Sequence, residues 1–188
     1  MTNGTFKIDT NTKLMFRFNV GDASTAFSQK WKDKAEIYVD IICKKINISP
    51  PSITYNRSIL YNSYYDSSFN LINIDLADCY KEFYIEQRTL TFINLNIDSL
   101  FKFFLFCLFH ELAHCLQSQK FLKWTMNFDL QYKELYHIRN IELKLNKHCN
   151  ELQQRYFDMK YRKLKREANA DKIAIIWCKQ YFPELFLE

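Results

Sequence analysis

The residues Phe103 to Phe109, FFLFCLF, run without a polar side chain straight into His110 and Glu111. So short a run cannot cross a bilayer, which takes about 20 residues. Lys102 on one side and His110 and Glu111 on the other stop it from lengthening. It reads as a helix buried in a protein core, N-capped by Asp98 or Ser99 and ending near Gln119. That burial creates a polar problem. The continuation LFHELAHCL carries two of the chain's four histidines and a glutamate among uncharged neighbours, and buried imidazoles and carboxylates need partners.

The spacing suggests which partner. Residues four apart share one helix face, so His110 and His114 can both point at one metal ion. Glu111 lies about 100° round the helix, where it can reach a water on that ion. A zinc site that does chemistry uses three protein ligands and keeps one position open, so a third ligand is required. His137, His148 and several carboxylates are candidates. A metzincin continuation would place Gly at 117 and His at 120, where the chain has Gln117 and Lys120.

The segment REANADKIA, residues 166–174, is the better source. Glu167 and Asp171 are four apart on one helix face, and small Ala168 and Ala170 allow close approach to another helix. Of Glu134, Glu142, Glu151 and Glu167, the first three have Ile138, Asn146 and Arg155 at the fourth position, and Glu167 has a carboxylate there. Glu167 would bind the metal. Asp171 would accept the free N–H of a ligating histidine and fix its tautomer.

The surrounding chain reads as α+β in a single domain, residues 1–188, with a mixed part to residue 97 and a helical part over 98–188. TFKID and KLMFRFNV suggest two short strands near the start. A helical pattern runs from Ser24 to Ile46 and stops at SPP, residues 49–51. SITYN (52–56), FNLINIDL (69–76) and TLTFINLNI (89–97) are strand candidates. From Asp129 to Tyr181 there is neither Gly nor Pro, which predicts one long helix or two joined by a short bend. Gly4 and Gly21 are the only glycines, so turns must use Asn, Asp and Ser.

A hydrophobic share of 48% and aromatic share of 17% exclude a disordered chain. The net charge of +5 is too small to imply a partner. The stretch KYRKLKRE, 160–167, with Tyr156, Phe157 and Tyr161 nearby, has the composition of a nucleic-acid contact. The plainer expectation is a solvated helix face with its aromatics turned to the core. Six scattered cysteines with no CxxC pair, and an N-terminus without an apolar signal core, fit free thiols and a cytoplasmic location. No membrane span is expected, and nothing here sets an oligomeric state.

His110-Glu111-x-x-His114 followed by Glu167-x-x-x-Asp171 resembles the gluzincin metallopeptidases. HELAH with EANAD is most similar to HtpX-type peptidases and the small soluble minigluzincins, and more weakly to ImmA/IrrE-type peptidases. The resemblance covers these two motifs and the order strand, helix, helix. It implies a zincin-like fold, with a small mixed sheet, an active-site helix and a mostly helical C-terminal half. It also implies Zn2+ held by His110, His114 and Glu167, Glu111 as general base, Asp171 behind the ligands, and a peptide or protein substrate laid along an edge strand such as 89–97. Two features depart from the family. No membrane helix of the HtpX kind is visible, and no histidine follows Glu167 to steady a transition state. His137, His148 or a tyrosine are left for that task, and the long helical segment 115–166 would form an insertion that covers or shapes the cleft. The competing expectation is a non-catalytic zinc-binding module that contacts protein or nucleic acid. Glu111 argues against it, because a structural site needs no base beside the metal.

Overall fold

The computed structural model describes residues 28–56, 63–86, 95–121, 133–135, 137 and 151–187. The two strand candidates before residue 28 lie outside them. Helix α1 spans Gln29–Ile46. Ser28 caps it by accepting the Trp31 N–H, and Asn47 ends it at φ 54° by returning its own N–H to the Cys43 carbonyl. Ala35, Val39, Ile42 and Cys43 recur at helical spacing and form its buried face.

After Pro50 and Pro51 the chain enters a three-stranded sheet: β1 Ser52–Asn56, β2 Tyr64–Asp66 and β3 Leu71–Asp75, in the order β1-β3-β2. β1 runs parallel to β3, with Ser52 opposite Leu71 and Asn56 opposite Asp75. β2 runs antiparallel to β3, with Tyr64 opposite Asn73. In the turn before β3, Asp66 accepts the Ser68 N–H at 2.8 Å and Asn70 adopts φ 46°. Asn47 and Asn70 are the non-glycine residues with positive φ among those described. Asparagine tolerates that region better than other side chains, so the glycine-poor chain turns as its composition suggests.

The third strand stops one residue earlier than its sequence pattern. Asp75 turns its carboxylate onto the N–H groups of Ala77 and Asp78 and so begins helix α2, Leu76–Lys81. A wider π-helical turn continues it over Glu82–Glu86. The sequence pattern does not anticipate this helix. Of the expected strand 89–97, residues 95–97 run without regular structure and 89–94 lie outside the described residues.

Helix α3, Leu100–Lys120, begins at Ser99, whose hydroxyl accepts the Lys102 N–H. It is long and apolar enough to cross a membrane by length and composition, yet 78% of its most apolar window is buried inside the protein. It lies most extensively along helix α5, Lys165–Tyr181, and also against α1, α2, β2 and β3. Phe103, Phe104, Phe106, Phe109, Leu108 and Leu112 fill the core between them. Helix α4, Glu151–Arg162, is parted from α5 at Lys163 and Leu164, where Leu164 is extended (ψ 135°). From residue 151 on, the glycine-free C-terminal stretch thus forms two helices joined by a bend, closed by the short α6, Pro183–Phe186. The architecture is mixed α+β, with a small sheet and mostly helical content.

Candidate metal centre

His110 and His114 share one face of α3, with their rings edge to face 4.8 Å apart. The first turn of α5 brings Glu167 against both. Glu167 Oε2 lies 3.2 Å from His110 Nε2, and its Oε1 lies 3.3 Å from His114 Nε2. The two Nε2 atoms are 3.1 Å apart, and all three residues are buried.

The opposite ring nitrogens are held from behind. His110 Nδ1 lies 2.8 Å from Asp171 Oδ1, and His114 Nδ1 lies 2.8 Å from Gln117 Oε1. A ring that donates from Nδ1 keeps a bare lone pair on Nε2. Two nitrogen lone pairs and two carboxylate oxygens therefore converge on one point in a buried space. Such a set of acceptors calls for a cation. Ligands about 2.0–2.1 Å from a tetrahedrally coordinated ion stand about 3.3–3.4 Å from one another; here each Nε2 meets the other at 3.1 Å and its own Glu167 oxygen at 3.2–3.3 Å, and one ligand atom from each residue lies within 4.8 Å of the other two. His110, His114 and Glu167 can hold a metal ion.

A proton meets the same electrostatic demand. Burial works against a charged His110, but hydrogen bonds to Asp171 and Glu167 outweigh it and push the imidazole up to about 9. Burial also works to raise Glu167, yet hydrogen bonds from His110 and His114 hold it well below the usual carboxylate range.

Glu111 is 7% exposed and stands beside the triad without belonging to it. Burial raises its pKa, against the pull of His110 and His114, while the Glu167 carboxylate adds to the rise. A carboxylate so placed accepts a proton more readily than one in water.

Three residues at the centre escaped the sequence reading. Arg162, the last residue of α4, places Nη1 3.0 Å from the Asp171 oxygen that also faces His110. In sequence it sits in a basic run that resembles a solvated face. Lys160, Lys163 and Lys165 are exposed, but Arg162 and Arg166 turn inward. Tyr161 hydrogen-bonds Glu167, and burial together with the Glu167 and Glu111 carboxylates drives its phenol well up. Gln117 entered the sequence reading only as the residue that breaks a metzincin pattern. Its place three residues beyond His114 was a usable signal, since that spacing shares a helix face. Of the two other histidines, His137 is exposed and apart from the triad, and His148 lies outside the described residues. Aromatic Phe157 faces the core as expected, whereas Tyr156 is exposed beneath the Lys160 ammonium.

No protein-family model, curated protein or solved structure matches this chain.

Proposed function

We propose that this chain is a zinc-dependent peptidase of gluzincin type, built on a zincin-like arrangement of sheet, α3 and α5. The observation that carries this reading is the convergence of His110, His114 and Glu167 at 3.1–3.3 Å with buried Glu111 beside them. A closed structural zinc site uses four protein ligands. Among the described residues three converge here, which supports a centre with a position left for water or substrate.

Zinc at such a centre acidifies water and polarises a scissile carbonyl. The chain's own groups do the rest. Glu111, its proton affinity raised by burial, takes a proton from the attacking water and returns it to the leaving amine. Asp171 holds the N–H of His110 and is itself held by Arg162. The Arg162 guanidinium offsets part of the negative charge gathered at Glu167 and Asp171. An extended peptide or unfolded protein segment is the substrate class this chemistry serves.

The test compares parent and Glu111→Gln after zinc reconstitution. Both should hold about one zinc per chain, because residue 111 is not a ligand. Hydrolysis of an unstructured protein or a mixed peptide library should fall by about 10²–10⁴-fold in Glu111→Gln, the usual worth of a general base. Equal cleavage by the two proteins would rule out this mechanism. A parent that binds no zinc would rule out the centre itself.

A further inference from the structure

Gln117 is 1% exposed and uses both ends of its amide. One end faces two nitrogens: Oε1 lies 2.8 Å from His114 Nδ1 and 3.3 Å from Arg166 Nε. The other end faces two oxygens: Nε2 lies 3.0 Å from the Arg166 carbonyl and 3.1 Å from Asn169 Oδ1. An arginine Nε can only donate and a backbone carbonyl can only accept. The amide orientation is therefore forced by Arg166, independently of the histidine. It follows that His114 Nδ1 is the donor in its bond to Oε1. The proton lies on that side of the ring, and Nε2 is left to face His110 and Glu167.

The second pair of bonds has a separate consequence. Arg166 lies on the first turn of α5 and Asn169 at the start of the second, on either side of Glu167. The side chain that orients the second histidine also grips the turn that delivers the carboxylate. We propose that Gln117 is the positioning residue of this centre: it fixes the His114 tautomer for ligation and clamps α5 so that Glu167 meets both histidines. This rests on the reading of the centre as a metal site. A glutamate in this place would keep the acceptor for His114 but would turn an oxygen toward the Arg166 carbonyl and Asn169 Oδ1. Only an amide satisfies both ends.

Nitrogen-15 NMR of the histidine rings in the metal-free protein at alkaline pH tests the tautomer, alongside chelator competition for zinc. The parent should show His114 protonated at Nδ1. Gln117→Met, similar in size but without an acceptor for the ring, should lose that preference and bind zinc about 10–100-fold more weakly. Gln117→Glu should keep the Nδ1 proton yet still bind more weakly, because the α5 clamp is gone. A parent with His114 protonated at Nε2 overturns the proposal whatever the variants do, including a Gln117→Met that fails to fold. So does a folded Gln117→Met with parental tautomer and parental affinity. A parent with the expected tautomer and no zinc affinity overturns the metal reading instead, so the two failures are distinct.

Discussion

At the scale of single residues, Asp171 carries two obligations on one oxygen. His110 Nδ1 and Arg162 Nη1 both reach Oδ1, at 2.8 and 3.0 Å. Removing the carboxylate frees the His110 ring to rotate and leaves a partly buried guanidinium without that partner. Glu167 differs, because its own oxygens face the two Nε2 atoms. Zinc titration against a competing chelator should rank the two. Glu167→Ala should abolish the site, since two histidines alone make a weak one. Asp171→Ala should weaken it by about 10–100-fold. The reverse order would remove Glu167 from the ligand set. The elevated His110 pKa, about 9, adds a pH dependence. The folded metal-free protein holds a proton on His110 below that value, and a metal ion must displace it. Apparent affinity should fall by about tenfold for each pH unit below about 9, and in Asp171→Ala, which lacks the first hydrogen bond that raises the ring, the fall should begin at a lower pH.

At the scale of elements, the centre exists because α3 and α5 approach closely. Ala170 and Ala174 are fully buried on the face of α5 that also carries Glu167 and Asp171. They let the backbone of α5 come near the large side chains of α3. A bulkier residue must push the helices apart or force strained rotamers. Ala174→Leu should lower unfolding stability by about 1–3 kcal/mol, measured by urea denaturation. It should also weaken zinc binding although no ligand is touched, because Glu167 would be carried away from His110 and His114. Lost stability with unchanged affinity would show that Glu167 is positioned by something other than this packing. The bend at Lys163 and Leu164 matters for a related reason. It ends α4 at Arg162 and lets that side chain reach back to Asp171 on α5. A continuous helix would hold the two residues in a fixed helical phase, nine positions apart.

At the scale of the whole molecule, a metal ion at this centre would tie together residues 57 positions apart in the chain. Anything that binds the folded state and not the unfolded one stabilises it by mass action. Free zinc at 100 times its dissociation constant contributes about 2.7 kcal/mol, or about 5–10 °C in a chain of this size. Thermal unfolding followed by circular dichroism, with zinc and then with excess chelator, should show that shift. Glu111→Gln should retain it and Glu167→Ala should lose it. A melting curve indifferent to zinc in the parent would count against a specific site in the folded chain.

The features legible from sequence are those set by local geometry. His110 and His114 share a face because a helix repeats every 3.6 residues, and Ser99 caps its helix because a hydroxyl can reach the third N–H beyond it. Asn47 and Asn70 take up positive φ because few other residues tolerate it. The pairing of Glu167 with Asp171 was visible for the same periodic reason. What no local pattern reports is where distant segments meet. Arg162 looks like one of five basic residues on a wet face until the bend turns it onto Asp171. Gln117 shares the His114 face by its spacing, but only Arg166, 49 positions away, fixes which end of its amide faces the ring. Each of these depends on a contact whose energy is realised only after the chain has packed, so tertiary structure alone decided it.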